Sequence, residues 1–456
     1  MHKQNQLLLQ CGLFLLIASL CGCKTVKQAR QAQSDADRLP GETTVKAAEA
    51  GLTDAHPYAL TNLEQIALQY HPSILLARQA VESARLQCHL IRAGRLPQIS
   101  ASATYSRSTH NVQGSPSSTG TLGSKGGSLG LDLLLYDFGK LDAQDRQALE
   151  ALIAAEQQYL TTKLEVAYTV RTAFFELHRS AELCRVACES EKQYAQHLDE
   201  ARVMVQVGAR RQYDVTKAEV DWGNAALAVI TASNTLITTQ AQLNRTLGLS
   251  EYPAYTVRED AMQPRPDTDV SALMSCAREN DPALAVLHAR ARAASSYVDQ
   301  TIAELYPDLS LGSSLSLSGR DFPLMWNFSW ALSMAQNVFD GYRKTDRIRI
   351  AVTQLRIARA NVADAEQTLY LNLVSAVAES KSARKRFEIA KMVERQATEN
   401  RDIVNEQFRV GISSSIERTD AQVAVTQAQA DVVRARYDEQ TSQARIARLI
   451  GEPVTP

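Results

Sequence analysis

The chain is one long segment written twice. His71-Pro72 and Leu96-Pro97 return as Asp281-Pro282 and Tyr306-Pro307, a shift of 210 positions. Tyr136-Asp137-Phe138-Gly139 returns as Phe339-Asp340-Gly341, Val207-Gly208 with Asp214 returns as Val410-Gly411 with Glu417, and Leu247-Gly248 returns as Ile450-Gly451, all shifted by 203. A tandem repeat constrains the fold strongly, because both copies must adopt one arrangement and cover each other's apolar faces. The offset changes from 210 to 203 between Pro97 and Asp137, so the first repeat carries seven more residues there.

The N-terminus reads as a processing signal. Lys3 precedes an apolar run from Leu13 to Leu20, too short to span a bilayer, which ends in Leu20-Cys21-Gly22-Cys23. A small residue before a cysteine at this place predicts cleavage and lipidation at Cys23. The expected layout is a signal over 1–22, a lipid-anchored tether over 23–59, a first repeat over 60–250, a linker over 251–269, a second repeat over 270–451 and a tail over 452–456.

The net charge of −1 over 456 residues gives no basis for bulk nucleic-acid binding. Aromatics make up only 6% of a chain that is 45% hydrophobic, a composition suited to closely packed helices. Cys184 and Cys188 continue a stripe of Val166, Val170, Ala173, Leu177 and Ala181 at helical spacing. Core packing is therefore expected of them, not a metal site with His178, since no further ligand stands at suitable spacing. No cofactor motif, phosphate loop or nucleophile–base spacing occurs, so no enzyme and no catalytic residue is expected.

Two periodicities alternate along each repeat. After Pro97, Ile99, Ala101, Ala103 and Tyr105 alternate with Ser100, Ser102, Thr104 and Ser106. After a Gly/Ser loop from His110 to Gly127, Leu129, Leu131, Leu133 and Leu135 alternate again. In the second repeat Leu309, Leu311, Leu315 and Leu317 oppose Ser and Gly. A tight turn from Gly319 to Pro323 leads to Trp326, Phe328, Trp330, Leu332 and Met334, which oppose Asn327, Ser329 and Ser333. These are strands of about ten residues, the length of a tilted membrane strand, with a lipid face and a wet face.

Long helices follow. Residues 140–207 and 342–410 contain neither Pro nor Gly, and a helix of that length reaches about 100 Å. Ile348, Leu355, Val362 and Leu369 recur every seven residues, with Ala351, Ala358 and Ala365 between them, a coiled-coil seam that allows close approach. Gly208 and Gly411 are placed as left-handed C-caps before return helices. Four membrane strands cannot close a barrel, and open edges in lipid leave backbone groups unpaired. Association is therefore expected: two copies give 8 strands and three give 12, and a wet lumen favours three.

With these features in this order, the chain resembles the TolC-like outer-membrane efflux family, specifically its lipoprotein branch. The resemblance covers almost all of the mature chain. It implies a mainly α fold: tandem long-helix hairpins in a homotrimeric α-barrel, with four transmembrane strands per chain completing a 12-stranded β-barrel. It implies an exit duct in the cell outer membrane, reaching into the periplasm and working with a periplasmic adaptor and an inner-membrane pump. Small molecules are the implied cargo; a duct for type I protein secretion is the alternative within the family. A structural coiled-coil surface lipoprotein is the rival of another class.

The resemblance also places a periplasmic gate at the helical turns, with Glu417 and Asp420 in the second repeat and Asp214 in the first. Lys217 stands where the second repeat has Asp420. A basic residue two after the second turn glycine is frequent in the family; here that position is Ser413, with Arg418 or Arg210 as substitutes. Three copies of Glu417 and Asp420 around an axis would make a ring of like charge that favours cations. A carboxylate in a first helical turn complementing the helix dipole explains Asp214 and Glu417 equally. Gly208, Arg210, Arg211, Gly411 and Ser413 are the expected adaptor contacts.

Overall fold

A computed structural model describes residues 27–34, 58–110, 120–249, 255–258, 269–320 and 323–452. Cys23 and the signal segment lie outside the described residues. A short exposed helix, α1 (27–34), occupies part of the expected tether. The first repeat comprises α2 (Leu60–Tyr70), α3 (Pro72–Ala93), β1 (Gln98–His110), β2 (Gly120–Tyr136), α4 (Lys140–Gln206) and α5 (Gln212–Thr246). The second comprises α6 (Val270–Asn280), α7 (Pro282–Ala303), β3 (Asp308–Gly319), β4 (Met325–Ala335), α8 (Arg343–Arg409) and α9 (Ser415–Leu449). Corresponding helices match residue for residue in length, at 11, 22, 67 and 35.

The repeated X-Pro steps break the first helix of each repeat. Pro cannot continue the preceding helix but suits the first turn of the next. The residue before it caps that turn: His71 Nδ1 accepts from the Ser73 N–H at 3.2 Å, and Asp281 Oδ1 from the Ala283 N–H at 2.9 Å. The return helices end against these breaks. A Cβ at Gly451 would fall on the Asn280 carbonyl, so the approach requires glycine.

The four strands form one antiparallel sheet in the order β1-β2-β3-β4. Its register sorts side chains by face. Rows of paired residues run Leu133–Leu311–Leu332, Ile99–Leu131–Ser313–Trp330, Ala101–Leu129–Leu315–Phe328 and Ala103–Gly127–Leu317–Trp326. The opposite face carries Ser102 hydrogen-bonded to Ser128 at 2.8 Å and Ser314 to Ser329 at 2.9 Å. Trp326, Phe328, Trp330, Leu332 and Met334 are all 58% or more exposed, which an aqueous solvent would not favour. The edges β1 and β4 have no partner within the described residues of the chain.

The hairpins differ from expectation in length. The expected loop from His110 to Gly127 is strand at both ends: β1 runs to His110 and β2 starts at Gly120, so the strands have 13 and 17 residues against 12 and 11 in the second repeat. Continued cross-strand pairing from Ser106↔Ser124 to His110↔Gly120 overrides the turn propensity of this Gly/Ser run. The extra residues thus lengthen the first hairpin past the end of β3, whose last partner in β2 is Lys125. Residues 111–119, and 321–322 of the second turn, lie outside the described residues.

Each strand exit uses two consecutive left-handed residues, one glycine and one aromatic. Phe138 and Gly139 have φ of 52° and 88°; Gly341 and Tyr342 have 68° and 65°. The aromatic thus takes opposite places in the two repeats. The aspartate of the motif caps the long helix: Asp137 accepts from the Gly139 and Leu141 N–H groups at 3.2 and 2.6 Å, and Asp340 from the Lys344 N–H at 3.1 Å.

The helices form a layer four wide. Near the sheet, neighbours run α3, α4, α7, α8; toward the far end they run α5, α4, α9, α8. On α8 the heptad positions Ile348, Ala351, Leu355, Ala358, Val362, Ala365 and Leu369 are buried or half-buried while most residues between them are exposed. On α4, Val166, Val170 and Ala173 are buried, but Cys184 and Cys188 are free and only half-buried; Val186, between them, is the buried member of the equatorial core of Leu63, Ala67, Phe174 and Leu243 on this stretch. Sequence reading missed the tie holding α2 to this core: Glu64, 4% exposed, takes Arg171 Nε at 2.5 Å.

Candidate gating and docking site at the helical turns

Both long helices end in the same geometry. Gly208 and Gly411 have φ of 76° and 81°. The Ala209 N–H reaches Met204 O at 2.9 Å and the Ile412 N–H reaches Gln407 O at 2.9 Å, satisfying carbonyls that the helix end leaves open.

The carboxylates divide between these turns. Glu417 belongs to a capping box: Ser414 Oγ accepts from the Glu417 N–H at 3.2 Å, and Glu417 Oε2 accepts from the Ser414 N–H at 3.2 Å. Ser413, buried, adds its hydroxyl to the same oxygen at 2.5 Å. The Ser413 hydroxyl and then the Ser414 N–H hold the Glu417 carboxyl below its ordinary range. Asp214 Oδ1 accepts from Ser415 Oγ at 2.9 Å, so the first-repeat carboxylate ties α5 to the start of α9. Asp420 is exposed one turn beyond Glu417. Lys217 lies 3.9 Å from Asp221, which also accepts from the Thr419 hydroxyl at 3.1 Å.

Arg418 is the centre of the site. Its side chain is 11% exposed; Nη2 lies 2.6 Å from Glu200 Oε2 of α4, and Nε donates to Asn405 Oδ1 of α8 at 2.9 Å. Its guanidinium lies over the Phe408 ring at 4.8 Å, and that of Arg210, from the other turn, lies over the same ring at 4.5 Å. One arginine and one ring therefore join both turns of the chain. Burial first, and Arg418 second, push the His197 imidazole down to about 4. Burial pushes the Tyr194 phenol up to about 12, with Asp221 and Asp420 adding to the effect.

Among the expected docking residues, Gly208, Arg211 and Gly411 are exposed, whereas Ser413 is buried and Arg210 is engaged with Phe408. Sequence reading missed the apolar part of the tip. Val207, Val410 and Ile412 are 74%, 69% and 78% exposed, and Tyr213 is 64% exposed. A valine before each turn glycine was the available signal. Among the described residues no helix is long and apolar enough to cross a membrane.

The model of the outer membrane efflux protein family matches residues 63–249 and 273–452, which include both turns and all four strands. The chain belongs to this family. As a member it is an outer-membrane protein serving export from the cell. It is similar to the probable efflux pump outer membrane protein TtgC of Pseudomonas putida, at 24% identity over 89% of this chain and 86% of that protein. It is also similar to outer membrane protein OprJ of Pseudomonas aeruginosa, at 22% identity over 80% and 78%. In structure it resembles the Campylobacter jejuni CmeC outer membrane channel, with a TM-score of 0.74, 18% identity, and 86% and 85% of the two chains covered. The family fold accounts for the helical layer and the small sheet as parts of one channel wall.

Proposed function

We propose that three copies of this chain form the exit duct of a tripartite efflux system, receiving small molecules from an adaptor and an inner-membrane pump. The open four-stranded sheet with one lipid-compatible face carries this reading. A four-stranded sheet with two bare edges cannot persist in lipid, and three such sheets supply the strands of a 12-stranded barrel with a water-filled lumen. The free sides of the helical layer support the same assembly. Leu76, Leu86 and Leu90 on α3, Ile237 on α5, and Ile350, Ile357 and Ile389 on α8 are 55% or more exposed in the single chain. A structural coiled-coil lipoprotein would have no use for the sheet. Matched relatives from Pseudomonas putida are named as efflux pump outer membrane proteins, one for antibiotics and one for toluene, which favours small molecules over protein secretion.

The proposed gate is the pair of helical turns, with Glu417 and Asp420 facing the axis and Arg418 holding them shut from behind. The exposed Arg211, Val207, Val410 and Ile412 form the adaptor-facing tip. The proposed anchor is a lipidated Cys23. Single-channel recording in planar bilayers tests the gate: Glu417→Ala with Asp420→Ala should raise conductance and weaken block by divalent cations. Unchanged conductance and block would remove both residues from the gate.

A further inference from the structure

Four cysteines lie among the described residues, and all are free. Two of them have a packing role. Cys88 is 3% exposed, and Cys276 packs against the core around Leu273, Leu369 and Leu373, its sulfur accepting from the Asn280 amide at 3.4 Å. Cys184 and Cys188 lack such a role. Leu183 and Val186, beside and between them, belong to the equatorial core, whereas neither thiol does, and both stay half-buried. The second repeat shows that the helix does not require small apolar residues at these places. Shifted by 203, the two positions on α8 hold Phe387 and Lys391, with the Lys391 ammonium over the Phe387 ring at 4.3 Å.

Four residues apart on α4, the two thiols share one face of the helix, where Cβ atoms are about 5–6 Å apart. A disulfide needs about 3.5–4.5 Å, so a continuous helix keeps the two sulfurs from joining directly. The same spacing lets both reach one central ion. Burial first, and Cys188 second, push the Cys184 thiol above its ordinary value, so the sulfurs stand close enough to act on each other. The ligand set selects the ion. Zinc takes three or four protein ligands, and among the described residues no group of three His, Cys, Asp or Glu side chains is placed to hold a metal. The carboxylates nearest in sequence, Glu182 and Glu189, are engaged by Arg185 at 2.7 and 2.9 Å. Two thiolates alone satisfy a soft monovalent cation, which prefers sulfur and accepts two ligands in line.

We propose that Cys184 and Cys188 form a two-coordinate binding site for a soft monovalent metal ion of the copper(I) or silver(I) kind, one per chain and complete within it. Each thiol releases its proton to solvent as a sulfur–metal bond forms, and no electron is transferred. The bound ion staples one turn of α4 on the way from the equatorial core to the turn at Gly208.

The test titrates copper(I) into the full-length, reduced protein in detergent under anaerobic conditions, against bicinchoninate as a coloured competitor. One ion per chain should be withheld from the competitor. Cys184→Ser or Cys188→Ser should abolish this, and Cys276→Ser should leave it unchanged. X-ray absorption at the copper edge should show two sulfur neighbours. A second measurement needs no variant: copper(I) should protect Cys184 and Cys188 together from iodoacetamide, read by peptide mass spectrometry, while Cys276 reacts as before. Retention of copper(I) by the double Ser variant would overturn the site, as would failure of the unaltered protein to withhold an ion, or alkylation of both thiols unslowed by the metal. Zinc(II) retained by Cys184 and Cys188 through gel filtration would overturn its two-coordinate, soft-ion character.

Discussion

Arg418 Nη2 of α9 lies 2.6 Å from Glu200 Oε2 of α4. The pair joins a helix of the second repeat to one of the first, directly behind the proposed gate. Hydrogen bonds to charged groups contribute about 1.5–3 kcal/mol each when partly shielded. Arg418→Met keeps apolar volume over Phe408 and removes the charge. It should speed amide exchange about 10-fold to 100-fold in both turns, through residues 197–214 and 405–420, and raise open-channel probability. Because Arg418 also depresses His197, the imidazole pKa should rise in the same variant, as followed by NMR of labelled histidine.

The His197 environment makes the turns acid-sensitive. Its pKa in the folded protein, about 4, lies below the ordinary 6.5, so the native state favours the neutral ring. The stabilisation is complete above pH 6.5 and is lost as pH falls from 6.5 toward 4, where the unfolded state binds the extra proton. The expected loss across that window is up to about 3 kcal/mol. Hydrogen exchange at the turns should accelerate over this range, and His197→Gln should flatten the profile.

Side-chain alternation assigns the two sheet faces to lipid and lumen, and paired substitutions check it. Trp330 stands in the middle of the apolar rows, and Ser329 on the opposite face. Trp330→Arg should cost about 2–4 kcal/mol per chain, from a cation facing mid-bilayer lipid. The amount of heat-modifiable assembled protein on gels should fall accordingly. Ser329→Arg, facing the lumen, should leave assembly intact and reduce cation conductance.

Two left-handed glycines should respond differently to alanine. At Gly208 the new Cβ meets nothing within 4 Å, so only the backbone cost of about 1–2 kcal/mol applies. At Gly451 the Cβ would also collide with the Asn280 carbonyl at the break between α6 and α7. Gly451→Ala should therefore lower the melting temperature clearly more than Gly208→Ala, as measured in detergent by circular dichroism.

The sequence alone determined everything encoded locally and repeated. The X-Pro steps, the turn glycines and the Pro- and Gly-free stretches place α3, α4, α5 and their counterparts nearly to the residue, because caps and breaks depend on a few adjacent positions. Period-two alternation gives the strand faces for the same reason. It misplaced the ends of β1 and β2, where turn-forming glycines sit in a strand extended by partner hydrogen bonds. Only the tertiary structure decided which distant groups meet. The pairing of β2 with β3 across the repeats accompanies the packing of α4 against α7 at the sheet end, whereas the burial of Ser413 and the meeting of Arg418 with Glu200, Asn405 and Phe408 come from helices α4, α8 and α9 converging at the opposite end. No local pattern carries that information, since the side chains involved are far apart in the chain and their placement follows from how long helices pack.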